Sequence, residues 1–305
     1  MFARFAPRGV CAGALSAVAA ALVASSAFAT TDTLTSGNSS LVYNLNSQTG
    51  NNSWVVDGVD QFGGSPAGEQ WFWVSLNGAA PVSLDNWNLI SNVTATANTM
   101  TAVYGSPVAP AFENSIHPLV AIVPSETITI TTVLSGGSTG SGASAINTTV
   151  TFQNNTDSTV SASIYDYVDA NVNATPSNDT LTLSSLKNEA NQTDPAGVDF
   201  NFSSTTANHD QVATDGSILT ELNGGSPVTL SDNYVSPVTG NTSFAFEYDG
   251  SFTAGDSGQI SINETLNKTA GSTVPMPSAA ASALSVLAGL GLIGIIRRAK
   301  TLAVR

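Results

Sequence analysis

The feature that most constrains this chain is a period-two alternation of Thr, Val, Ile and aromatic residues between Thr30 and Thr273. The alternation is clearest in five segments: 126–133 (ETITITTV), 146–152 (INTTVTF), 160–168 (VSASIYDYV), 242–248 (TSFAFEY) and 260–266 (ISINETL). Successive side chains of a strand point to opposite faces, so this pattern predicts β-strands with one face buried. Helical periods are hard to find in the same stretch.

Turn signals separate these segments. Asn77-Gly78 and Asn223-Gly224 predict hairpin turns, and the Gly/Ser run 136–144 predicts a flexible loop between two strands. Many short strands with frequent turns predict an all-β fold, an antiparallel β-sandwich. We expect one large sandwich over residues 30–273, because no Pro-rich or charged linker divides them. The similarity of 76–84 to 222–230 is interpreted as reused turn chemistry, with a duplication as the alternative.

The N-terminus has the order of a secretory signal. Arg4 and Arg8 precede an apolar, Ala-rich run, and Ala27 and Ala29 form an A-x-A cleavage pattern. We therefore expect residues 1–29 to form a signal peptide, helical before its removal by signal peptidase. The mature chain would begin at Thr30.

The C-terminus, residues 274–305, has three parts. The first is a Pro-rich segment that no helix or strand can continue through: Val274, Pro275, Met276, Pro277 and Ser278. Residues 279–296 are eighteen residues without a charge, which as a helix would extend roughly 27 Å and suit a transmembrane span. The basic end 297–305 carries Arg297, Arg298 and Lys300, so we expect that end to stay cytoplasmic and the body outside.

This three-part tail resembles the PEP-CTERM sorting signal, with Met276 where the usual motif has Glu. The resemblance implies processing by an exosortase-type membrane enzyme. The body is also similar to exported proteins of that class around 54–60, 70–73 and 165–169. That similarity implies a β-rich protein that is transiently held in the inner membrane and then lies at the cell surface or outside the cell.

The charge distribution limits the partners. All 22 acidic residues lie in 30–273 against two cations, Lys187 and Lys268, a formal net charge of −20. Nucleic acid is thereby excluded as a partner, because binding phosphates requires Lys and Arg. The only cysteine, Cys11, lies in the signal, so the body has no disulfide and no thiolate chemistry.

No catalytic motif is recognisable. Neither His117 nor His209 lies in a known pattern, and abundant carboxylates by themselves are weak grounds for a glycosidase. Four tryptophans have two interpretations, since aromatic rings either fill a core or stack on sugars: Trp54, Trp71, Trp73 and Trp87.

An Asp/Asn cluster also has two interpretations. Asp166, Asp169, Asn171 and Asn173 are either a solvated strand end or a Ca²⁺ site, because hard cations take carboxylate and amide oxygens. No other cofactor is indicated.

From these observations we expect a non-enzymatic structural protein of the cell surface or the extracellular polysaccharide matrix. The alternative is a carbohydrate-binding module, and a glycan-active enzyme is the third interpretation.

Overall fold

The computed structural model describes residues 31–64, 68–107, 124–175, 177–214, 216–233 and 237–268. These residues form eighteen β-strands and one α-helix, α1 (Ser217–Leu222), with two short 3₁₀ turns. None of the helices among them is long and apolar enough to cross a membrane. The predicted signal peptide with Ala27, Ala29 and Thr30, and the predicted sorting tail 274–305, lie outside the described residues.

Nine strands form the first sheet, in which β1-β2-β3-β5-β11-β17-β15 are neighbours and β4 and β6 pair with β3 and β5. Their bounds are β1 Thr31–Ser36, β2 Ser39–Asn44, β3 Gly50–Val56, β4 Val59–Asp60, β5 Glu69–Leu76, β6 Val82–Ser83, β11 Val160–Asp169, β15 His209–Thr214 and β17 Thr242–Phe252. All pairings are antiparallel except a short parallel contact of β3 with β5.

Nine strands form the second sheet, in the order β16-β12-β13-β14-β18-β10-β9-β8-β7. Their bounds are β7 Asn88–Thr96, β8 Thr99–Gly105, β9 Glu126–Gly136, β10 Ser144–Asn154, β12 Asp179–Leu183, β13 Glu189–Thr193, β14 Val198–Ser204, β16 Val238–Gly240 and β18 Ser257–Lys268. The expected all-β, antiparallel sandwich is therefore confirmed for the described part of the chain.

The five alternating segments all became strands, β9, β10, β11, β17 and β18, each extended by a few residues beyond the predicted bounds. Their apolar faces meet between the sheets. Phe246 of β17 stacks on Phe202 of β14 with ring centroids 5.1 Å apart, and Trp54 of β3 packs edge-on against Phe200 of β14. The burial of these apolar side chains away from water holds the two sheets together.

The first sheet is also covered on its outer face. The period-two pattern of the sequence had predicted strands with only one buried face. Glu247 of β17 faces outward and accepts a hydrogen bond from Leu230 N at 2.7 Å, and the Tyr165 hydroxyl donates to Val228 O at 2.7 Å. Residues 217–230, including α1, thus form a third layer here. The central strands β5, β11 and β17 are consequently buried on both faces over most of their length.

The two predicted hairpin turns had different outcomes. Asn77-Gly78 forms a turn with both residues at positive φ, 52° and 73°, and leads from β5 to β6. Asn223-Gly224 instead ends α1, where the Asn223 N–H bonds to Leu219 O. The prediction of a hairpin at Asn223 was wrong, because Asn and Gly also terminate helices.

Candidate functional site

An aromatic cleft opens where β17 and β18 leave the sandwich. It encloses about 290 Å³. Phe252 of β17 lies across two glycines, since a Cβ on Gly250 or Gly258 would come within 2.4 or 2.5 Å of its ring. Phe152 of β10 supports the ring at a centroid distance of 4.7 Å, and Tyr248 completes the aromatic floor. Phe252 itself is only partly buried. The two glycines therefore create the space in which an aromatic ring lines an open cleft.

Exposed polar side chains form the rim of this cleft: Asn208, Asp249 and Gln259. Asn208 Oδ1 accepts from Asp249 N at 2.7 Å, and Asp249 Oδ1 accepts from Ser163 Oγ at 2.6 Å. These bonds fix the two side chains while the Asn208 Nδ2 group and Asp249 Oδ2 make no hydrogen bond to the described residues. The rim thus offers a fixed donor beside a fixed acceptor.

The outer face of the second sheet, called here the polar face, carries Asn, Ser and Thr side chains in register. Ser203 of β14, Asn263 of β18 and Asn147 of β10 lie opposite one another, and Asn263 Nδ2 donates to Asn147 Oδ1 at 2.7 Å. Strand alternation places such residues outward while Phe200 and Phe202 point into the core. The result is a surface of mainly neutral hydrogen-bonding groups, on which Glu189 and Asp199 are outward carboxylates.

Two hollows lie on this polar face. The central hollow, about 440 Å³, is lined by residues of β10, β14 and β18. The distal hollow, about 330 Å³, is lined by residues of β12, β13 and β14, among them Asn191 and Asn201, whose amides are joined by a 2.6 Å hydrogen bond. Thr205 lines both the aromatic cleft and the central hollow, and Ser203 lines both hollows. The three depressions therefore adjoin one another.

The four tryptophans that sequence reasoning considered for sugar stacking are all interior. Trp54, Trp71 and Trp73 are 0% exposed and Trp87 is 5% exposed. Trp73 lies beneath the outer layer and donates its Nε1–H to Asn223 Oδ1 at 3.1 Å. None of these indole rings presents a face to a ligand, so the core interpretation describes them and the stacking interpretation is corrected.

The structure separates the four Asp/Asn residues considered for Ca²⁺. Asp166 points between the sheets, whereas Asp169, three residues later, points to the opposite face of the same strand. Asn173 donates to Asp194 at 3.0 Å, and Asn171 is buried. Within the described ranges no group of three or more His, Cys, Asp or Glu side chains is placed to hold a metal ion.

Asp166 instead belongs to a buried polar network between the sheets. Gln70 Nε2 donates to Glu264 Oε1 at 2.5 Å and to Asp166 Oδ1 at 3.3 Å. Both carboxyl groups are fully buried. Burial raises the pKa of Glu264 to about 8 and, together with the nearby Glu264, raises the pKa of Asp166 well above its usual value. This pair is closed to solvent and contributes no group to the cleft.

Sequence reasoning missed the residues of the aromatic cleft. Phe252 is one aromatic among twelve phenylalanines, and Asn208 and Gln259 come from distant parts of the chain. The available signal was the glycine two residues before Phe252, since residues two apart on a strand share a face and Gly250 leaves room there.

Comparison with protein-family models and with curated proteins gave no match. Among solved structures, a bacterial glucoamylase complexed with acarbose is similar, with a TM-score of 0.52, 12% identity, and coverage of 85% of this chain and 35% of that chain. A putative aldose 1-epimerase from Escherichia coli K12 matches with a TM-score of 0.44, 9% identity and coverage of 79% and 99%. A galactose mutarotase-like protein from Lactobacillus casei matches with a TM-score of 0.42, 10% identity and coverage of 78% and 100%.

The chain thus spans about a third of the glucoamylase chain whose fold it shares. The fold shared with the glucoamylase overturns the interpretation of a non-enzymatic structural protein of the surface or matrix. That interpretation relied on the lack of a recognisable site in the sequence, but the cleft is assembled from residues far apart in the chain. The shared fold gives no support for excluding an enzyme.

Proposed function

We propose that the body of this protein is a carbohydrate-binding module that holds a neutral sugar in the aromatic cleft. The observation that carries the proposal is the partly exposed ring of Phe252, seated on Gly250 and Gly258 and bordered by fixed polar groups. Pockets that are largely apolar with a few placed polar groups are the usual form of small-molecule sites. The shared architecture with a glucoamylase complexed with acarbose is consistent with a sugar as ligand.

The chemistry of the cleft suits a sugar ring. The C–H face of a pyranose is apolar and packs on an aromatic ring, while its hydroxyl groups need both donors and acceptors. Asn208 Nδ2 supplies a donor, Asp249 an acceptor, and Gln259 both. The fixed positions of Asn208 and Asp249 reduce the entropy lost on binding.

The geometry supports binding more than hydrolysis. Glycoside hydrolysis uses two carboxyl groups that flank the scissile bond. Among the described residues that line the cleft, Asp249 is the one carboxylate. The other close carboxyl pair, Asp166 and Glu264, is enclosed between the sheets.

The negative charge of the body favours neutral sugars over anionic ones. With 22 carboxylates against two lysines, the body repels polyanions over a Debye length of about 8 Å at physiological salt. We therefore expect neutral glycans to bind and uronate-rich glycans to bind poorly.

Affinity electrophoresis tests this proposal directly. The purified body, residues 30–273, is run through gels that contain an α-glucan, a β-glucan, a xylan, a galactomannan or alginate. We expect retardation by at least one neutral polysaccharide and none by alginate. Retardation by no neutral glycan of the panel, or by alginate alone, would contradict the proposal.

Two variants locate the site. Phe252→Ala removes the ring, and Gln259→Ala removes an exposed amide that makes no hydrogen bond to the described residues, so the second variant leaves the fold undisturbed. Asn88→Ala, an exposed amide on β7 at the far edge of the second sheet, is the matched control. Each cleft variant should weaken binding about tenfold, the effect of one lost contact worth about 1.4 kcal/mol, and the control should bind like the wild type. Equal binding by all three would remove the cleft as the site.

The termini support a second part of the proposal, that the module works outside the cell. The A-x-A pattern before Thr30, and the Pro-rich, apolar and basic order of 274–305, suit export followed by sorting through an exosortase-type enzyme. A carbohydrate-binding module in that location would meet extracellular polysaccharide.

A further inference from the structure

We propose that the binding site continues from the aromatic cleft across the polar face as one groove for an extended stretch of a neutral polysaccharide chain. This inference rests on the proposed function and adds the class of ligand, an internal segment of a long chain. It starts from the continuity of the three depressions through Thr205 and Ser203.

Thr205 forms a rigid junction between the cleft and the central hollow. Its N–H donates to Ser261 O at 2.9 Å, and its Oγ1 accepts from Ser261 N at 3.1 Å. Both side chains border the central hollow, and Thr205 also borders the cleft. A small side chain thus stands where the cleft and the central hollow meet.

Both hollows are bordered by amides and hydroxyl groups, and the distal hollow is bordered by Glu189 as well. Asn147 and Asn263 border the first, Asn191 and Asn201 the second, and Ser203 lies between them. Each amide pair is held by a mutual hydrogen bond, of 2.7 Å and 2.6 Å. In each pair the accepting side chain, Asn147 or Asn201, keeps an Nδ2 group that makes no hydrogen bond to the described residues. Rows of fixed amides and hydroxyls match the repeated hydroxyl groups of a neutral polysaccharide.

The length of the groove exceeds one sugar ring. From Gly258 to Asn263 along β18 the route covers roughly 17 Å, at about 3.3 Å per residue, and crossing from β18 to β13 adds roughly 10 Å at about 4.8 Å per strand. An occupant of this length is a chain of several sugar units. A second copy of this protein is a poorer occupant, because two bodies of net charge −20 repel each other.

A ladder of oligosaccharides of increasing length tests the inference, using the polysaccharide type that retards the protein most. Isothermal titration with the disaccharide, tetrasaccharide and hexasaccharide should show affinity rising at least about tenfold from the shortest to the longest, since each filled stretch adds hydrogen bonds worth about 1 kcal/mol net. The double variant Asn191→Ala/Asn201→Ala should reduce this gain and leave disaccharide binding unchanged. The matched control is Thr127→Ala/Thr129→Ala on β9, which removes outward side chains of the same sheet away from the groove.

The outcomes separate the two proposals. If all lengths bind with equal affinity, the extended groove is wrong and the module with its single cleft remains. If affinity rises with length and the double variant behaves like the control, the chain takes another path and the groove is wrong as placed. If no length binds, the proposed function itself fails.

Discussion

Replacing Glu264 by Gln should stabilise the protein at neutral pH and leave its stability nearly unchanged at pH 4. Glu264 is 0% exposed on the inner face of β18. It accepts one hydrogen bond from Gln70, its Oε2 has no hydrogen-bond partner among the described residues, and Asp166 Oδ2 has none either. Within that part of the chain no cation forms an ion pair with either carboxyl group. An ionised Glu264 would therefore be a buried and uncompensated charge.

The magnitude follows from the pKa of Glu264, which burial raises from 4.5 to about 8. Below pH 4.5 the carboxyl group is protonated in both the folded and the unfolded chain, so the stability is at its full value. Between pH 4.5 and 8 the unfolded chain releases the proton and the folded chain keeps it. The free energy of unfolding then falls by about 1.4 kcal/mol for each pH unit. At pH 7 this loss amounts to about 3 kcal/mol, and it reaches its limit above pH 8.

A glutamine in this position has nearly the same shape, keeps the acceptor for Gln70, and does not ionise. Urea denaturation of wild type and Glu264→Gln at pH 4, 5.5, 7 and 8 gives the free energy of unfolding of each. We expect a difference close to zero at pH 4 that grows, in favour of the variant, to about 3 kcal/mol at pH 7 and about 4 kcal/mol at pH 8. Asp157→Asn, which removes an exposed carboxylate, is the control and should show no such growth.

A variant that is less stable than wild type by the same amount at every pH would refute this reasoning. Such a result would mean that the Glu264 carboxyl group does not take up a proton on folding, and that its hydrogen bond to Gln70 outweighs the cost of burial. Removing Glu264 also removes its contribution to the raised pKa of Asp166, which acts in the same direction and adds to the gain of the variant at neutral pH.

Four further predictions follow from the fold and from the sequence. Trp73→Phe removes the hydrogen bond to Asn223 and part of a buried ring, so the free energy of unfolding should fall by about 1–3 kcal/mol in urea titrations; an unchanged value would show that the outer layer does not depend on this contact. N-terminal sequencing of the exported protein should start at Thr30, and an intact Met1 would contradict the signal peptide. Deletion of 275–305 should change the cellular fraction in which the protein is found without lowering its melting temperature; retention in the normal fraction would contradict a sorting role. Because the structure separates the four Asp/Asn residues, millimolar calcium should raise the melting temperature no more than sodium at equal ionic strength; a larger rise in calcium would contradict this.

The sequence by itself determined the strands and the class of fold. Alternation in segments such as 126–133 and 242–248 is a local property, because the side chains of a strand alternate whatever the strand packs against. The uneven charge of the body and the order of the two termini are also readable without a structure. These features were enough to predict a sandwich, to expect no nucleic-acid partner, and to propose export.

Only the tertiary structure decided which faces are covered and which residues meet. The alternation around Trp73 is the same whether its ring is buried or exposed. The ring is buried because residues 217–230 fold over it, and its hydrogen-bond partner Asn223 lies 150 positions further along the chain. Asn223-Gly224 has the same turn chemistry in a hairpin and at a helix end, so its neighbours decided the outcome. The aromatic cleft joins Phe252 to Asn208 and Phe152, and no local pattern encodes that proximity. Contacts between distant segments depend on the order of the strands in each sheet and on which apolar faces cover one another. Both are decided by the whole chain, and a local pattern in one sequence does not reveal them.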